Sequence, residues 1–109
     1  AAASPESQSS GQITVRELLD DAAENLGRRE VEPRVELPLR VTFSNTYRAL
    51  GRAADALREA ERAHALAKAE FGVDSPDELE ARRTLAVAMG ENQRAAEAEA
   101  LVRSALEIY

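Results

Sequence analysis

A side chain that does chemistry needs partners at the right spacing, and the only histidine, His64, is the first to test. An imidazole works as a base or a metal ligand when a carboxylate or second ligand stands beside it. On a helix its neighbours one turn away are Ala60 and Lys68, which do neither. His64 therefore reads as a structural or surface histidine. Glu97, Glu99 and Glu107 form a carboxylate set, as do Glu59 and Glu61, again without histidine partners. They read as surface charge supported by opposite charges three or four residues away, as in Glu30 with Arg34, Asp55 with Arg58 and Glu59 with Arg62. No Ser–His–Asp set can be assembled and no glycine-rich phosphate loop is present. The lack of cysteine excludes disulfides, thiolate metal sites and cysteine nucleophiles. The expectation is a chain that is not an enzyme, with no catalytic residue, no cofactor and no metal.

Charge narrows the partners. The 109 residues carry a net charge of −6. An acidic surface argues against nucleic acid and against anionic lipid, since both need a basic face. No apolar run reaches the roughly 20 residues of a membrane span, and no secretory leader pattern opens the chain. A cytoplasmic protein partner is expected. The start AAASPESQ, without Met, reads as that of an excised fragment or processed product.

The elements follow from apolar spacing. Residues 1–11 have no apolar period and read as a flexible tail or linker, leaving 12–109 as one domain. Thr14 and Glu17 fit a capping box, and Val15, Leu18, Leu19, Ala22, Ala23 and Leu26 recur at helical spacing, so a first helix is expected over about Thr14–Leu26 with Gly27 as its stop. The second is expected over Pro33–Leu50, kinked at Pro38, because Val35 and Leu37 continue its apolar face. Gly51 ends it. The third spans about Arg52–Phe71, with Ala53, Ala56, Leu57, Ala60, Ala63, Ala67 and Phe71 inward. Ser75-Pro76-Asp77-Glu78 is a second capping box opening a fourth helix to Met89, and Gly90-Glu91-Asn92 is the expected turn. A fifth begins near Gln93 and runs to the end.

The organising stretch is 42–66, and a weaker copy returns at 84–108. At an offset of 42, Arg40 falls on Arg82, Thr42 on Thr84, Ala56 on Ala98 and Ala63 on Ala105, while Phe43/Leu85, Ser44/Ala86 and Tyr47/Met89 are similar pairs. Phe43-Ser44-x-x-Tyr47, then a short turn, then Ala56 and Ala63, resembles the tetratricopeptide repeat. Helices of one repeat cross closely, so Ser44 and Ala56 must be small where Tyr47 fills the remaining space. Three features depart from the pattern: Arg40 and Arg82 stand at its first aromatic position, Ala60 replaces a bulky residue, and Lys68 stands where the usual Pro would fall. The lengthened second helix and the turn Gly72-x-Asp74-x-Pro76 are similar to the 42-residue subtype of kinesin light chains and many bacterial regulators. ITVRELLDDAAENL, then Pro33 and YRALGR, resemble the repeat region that follows the kinase domain in some bacterial serine/threonine protein kinases. No kinase motif lies in these residues.

The resemblance implies an all-α fold: antiparallel helical hairpins stacked as a right-handed array, about five helices, with the first packed on the hairpin that follows. It also implies a protein-interaction scaffold, the regulatory or adaptor segment of a larger signalling protein. Some members grip a C-terminal carboxylate with Lys and Asn one turn apart. Asn45 stands at the Asn position, but Val41 precedes it and Val87 replaces it in the next repeat, so that clamp is not matched. Asn45, Arg48 and Arg83 are the candidates for a concave face that meets an acidic peptide. The alternative is self-association as a homodimer through Leu101, Val102, Ala105, Ile108 and Tyr109, since repeat arrays need about three repeats and a polar cap. A small-molecule sensor is weaker still, because an Ala-lined interior leaves little cavity.

Overall fold

The computed structural model describes residues 14–92 and 95–108, the latter by backbone alone at 95, 96, 98 and 105–108. Five helices follow in order: α1 Val15–Arg28, α2 Pro33–Ala49, α3 Ala53–Phe71, α4 Pro76–Glu91 and α5 Ala95–Ile108. Among the described residues there is no strand. The chain divides into two units, Ala1–Glu30 and Val31–Tyr109.

The first unit contains α1. Its capping box forms in both directions: Glu17 N–H donates to Thr14 Oγ1 at 3.1 Å, and Thr14 N–H donates to Glu17 Oε1 at 3.0 Å. Leu19, Ala23 and Leu26 share one face. The helix does not stop at Gly27 as expected but continues to Arg28. A glycine near a helix end costs about 1 kcal/mol and does not by itself break the helix. Arg28 reaches back to Glu24 at 3.4 Å and to Asn25 at 3.1 Å, supporting that last turn.

In the second unit α2 packs on α3, α3 on α4 and α4 on α5, while α2 also touches α4. This is two consecutive antiparallel hairpins, with the first helices of each side by side. α2 runs continuously through Pro38. A proline there leaves the Arg34 carbonyl, in the first turn, without its backbone donor, a smaller loss than giving up the turn that carries Leu37. A Schellman motif ends the helix, with Arg52 N–H donating to the Tyr47 carbonyl at 2.9 Å and Gly51 N–H to that of Arg48 at 3.0 Å. Gly51 takes φ +77°, which a side chain would disfavour.

The close crossing of α2 and α3 is as expected. Ser44 is buried, and its hydroxyl donates to the backbone carbonyl of Ala56 at 2.8 Å. Only a small side chain lets a hydroxyl touch the neighbouring helix backbone. Tyr47 is fully buried beside it, with the Arg52 guanidinium 5.3 Å from its ring centre. Two clusters continue the core: Leu37, Ala63, Ala67 and Ala81 join α2, α3 and α4, and Ala60, Leu85, Ala88 and Met89 join α3 to α4. Leu101 of α5 packs against the second cluster.

Two local expectations are corrected. Ser75 caps α4 by accepting from Glu78 N–H at 3.1 Å, but the Glu78 carboxylate does not return to Ser75; its Oε1 takes the Asp74 N–H at 2.9 Å. The carboxylate also serves Arg82 and His64, which explains the shift of partner. At the other end α4 runs through Gly90 and Glu91. Asn92 is the stop, because its side-chain amide donates to the carbonyls of Ala88 at 2.7 Å and Ala53 at 2.9 Å, binding the end of α4 to the start of α3.

Candidate protein-docking groove

Arg40 and Arg82, which stand at the first aromatic position of the repeat pattern, turn out to position the helices. Both are buried. Arg40 on α2 donates from Nε to Glu36 at 3.1 Å and from Nη1 to Glu59 on α3 at 2.8 Å. Arg82 on α4 donates from Nε to Glu78 at 2.9 Å, from Nη1 to Ser104 on α5 at 2.9 Å and from Nη2 to Asp74 at 3.0 Å. Each arginine thus pairs with a glutamate four residues back and reaches the second helix of its own hairpin. A guanidinium offers five donors in a plane, so it can fill an aromatic-sized space and serve several acceptors at once.

His64 joins the second of these networks. Its Nε2 lies 2.6 Å from Glu78 Oε2, across from α3 to α4. Burial alone would push the Glu78 carboxyl up. Hydrogen bonds from Arg82, the Asp74 N–H and His64, together with the Arg82 charge, outweigh burial and hold it at about 2, against an ordinary 4.5. Glu78 in turn raises the Arg82 guanidinium against the opposing effect of burial, with Asp74 adding to the rise. The pair therefore stays ionised.

Sequence reasoning missed these contacts for a definite reason. Helical spacing offers His64 only the residues one turn away on its own helix, whereas Glu78 stands fourteen residues on, on the next one. One signal was present: Glu36–Arg40 and Glu78–Arg82 repeat at the 42-residue offset. Of the expected surface pairs, Asp55–Arg58 forms at 2.7 Å. Glu59 and Arg62 come within 3.7 Å, yet Glu59 is buried, not at the surface. Arg34 takes Glu32 at 3.2 Å in place of Glu30.

These networks hold α2 beside α4, and a groove of about 330 Å³ lies between them. Leu37, Pro38 and Val41 of α2 form its apolar side, with Thr42 and Asn45 further along the same helix. Asp77 and Glu80 of α4 form the opposite side. Of the residues expected on a concave face, Asn45 therefore lines the groove. Arg48 pairs with Glu91 at 3.5 Å, and Arg83 is exposed outside the lining. Of the residues expected to self-associate, Val102 is 41% exposed and Leu101 is half-buried against the core. Ala105, Ile108 and Tyr109 lie outside the residues whose side chains are described. No helix among the described residues is long and apolar enough to cross a membrane.

Consecutive antiparallel hairpins with a groove between their first helices define a helical-repeat protein. The family model for the tetratricopeptide repeat matches residues 39–109, and the chain belongs to that family. No curated protein matches, and no solved structure matches. Tetratricopeptide repeats generally mediate protein–protein interaction, so a protein partner is the class of ligand the family defines.

Proposed function

We propose that this chain acts by docking a segment of a partner protein in the groove between α2 and α4, and that it carries out no catalysis itself. The observation that carries this reading is the groove: one apolar side, one charged side, and the side-chain amide of Asn45 at its edge. Such a surface supplies contact area together with a few orienting polar groups. Nucleic acid is a poor fit to a chain of net charge −6. The resemblance of ITVRELLDDAAENL and YRALGR to the repeat region of bacterial serine/threonine kinases supports a cytoplasmic regulatory or adaptor segment of a larger signalling protein.

Octapeptides selected from a random phage-displayed library against this chain test the docking reading. Asn45 is exposed, so Asn45→Trp should obstruct the groove without unfolding the protein. Binding of the selected peptides should fall by at least about tenfold, as expected for blocking a central contact. Unchanged binding with normal helicity would remove the groove from consideration. The second reading, self-association through α5, is favoured by the exposure of Val102. Light scattering over a concentration series decides it: a dimer that Val102→Glu dissociates supports self-association, and a monomer throughout removes it.

A further inference from the structure

We propose that the occupant of the groove is a basic segment of a protein partner, with a lysine or arginine side chain seated against Asp77 and Glu80. The proposal rests on the docking reading above and adds the chemistry of the ligand.

Asp77 and Glu80 stand three residues apart on α4, hence on one face, and both are exposed at the groove. Among the described residues neither makes an ion pair. Among the described residues no cation lines the groove. Arg40, on the same helix as the apolar side, is buried and hydrogen-bonded to Glu36 and Glu59, Arg48 lies 3.5 Å from Glu91, and Arg83 stands outside the lining. An acidic segment would therefore bring its charge against two carboxylates with no cation in the lining, an arrangement that costs affinity and slows encounter. A basic segment finds the complement.

The apolar side sharpens the match. Lysine and arginine carry an aliphatic stem that packs on apolar surface while the charged head stays in water. Leu37, Pro38 and Val41 offer that surface opposite the two carboxylates. Asn45 makes no side-chain hydrogen bond among the described residues, and its amide can both donate and accept. It can thus hold one peptide unit of an extended chain and set the register of the cationic side chain. The net charge of −6 adds long-range attraction for the same sign of partner.

The selected octapeptides decide this by composition and by fluorescence anisotropy. They should be enriched in Lys and Arg. Their affinity should fall about five- to tenfold for Asp77→Asn/Glu80→Gln, the worth of two partly solvated charge pairs. Asp21→Asn/Glu30→Gln removes the same charge elsewhere and should leave affinity unchanged. Peptides enriched in Asp and Glu would overturn the proposal. So would equal weakening by both double variants, which would mean attraction to net charge alone. Peptides weakened by Asn45→Trp but indifferent to Asp77→Asn/Glu80→Gln would leave docking in place and overturn only the basic occupant. Failure to select any peptide that Asn45→Trp weakens would overturn both.

Discussion

His64 on α3 and Glu78 on α4 meet at 2.6 Å, so the second helix of one hairpin is tied to the first helix of the next by a polar contact. The Glu78 carboxyl is held at about 2, below its ordinary 4.5. A depressed carboxyl stabilises the fold above its unfolded value and loses that contribution as pH falls toward the folded one. Melting temperature should therefore drop as pH goes from about 4.5 toward 2, with up to about 3 kcal/mol at stake. Glu78→Gln should melt lower at neutral pH and show a flatter acid limb. Parallel acid limbs for the two proteins would show that the loss comes from other groups.

Arg40 and Glu59 make the second test. Glu59 is fully buried, and its Oε2 has no hydrogen-bond donor; Arg62 stands 3.7 Å from that oxygen. Removing Arg40 leaves that buried carboxylate with only Arg62 near it among the described residues. Arg40→Met should cost about 3 kcal/mol in urea unfolding, whereas Arg40→Met/Glu59→Leu should recover most of the loss, because an apolar pair needs no ionic partner. A double variant as unstable as the single one would mean that lost packing dominates.

Two glycines should respond in opposite directions to the same substitution. Gly72 closes α3 at φ +95° and ψ 149°, a backbone region that side chains rarely enter. Gly72→Ala should cost about 1–3 kcal/mol. Gly90 lies within α4, exposed, and an added Cβ would meet nothing within 4 Å. Gly90→Ala should therefore raise stability by about 0.5–1 kcal/mol. Thermal melts of the two variants should move apart; movement in the same direction would contradict the backbone assignments.

Much of the framework was legible in the order of residues. Pro33, Pro76 and the Ser75 cap mark helix starts whose signals are local, and the order Ser44, Tyr47, Ala56 announces a close crossing because size alone decides it. The limits of local reading show at Gly27 and Gly90, where a weak breaker lost to the contacts around it. They show more clearly at Arg40, Arg82 and Glu59. Composition assigns such residues to the surface, and only the fold brings their partners from other helices. The groove was half legible: the repeat position of Asn45 points to it, while the place of Asp77 and Glu80 in its lining emerges only once α4 lies beside α2.

The inner face of α3 is Ala56, Ala60, Ala63 and Ala67, all buried. Methyl groups at one-turn intervals look nearly the same after a slide of one turn, about 5.4 Å. On such a smooth rail, apolar contact alone does not say where the neighbouring helix should rest. Arg40–Glu59 and His64–Glu78 supply the missing detent: a slip in either direction would part Glu59 from Arg40 and His64 from Glu78. Those pairs act as pins in a ratchet, turning an interchangeable ladder of alanines into a single address for each helix.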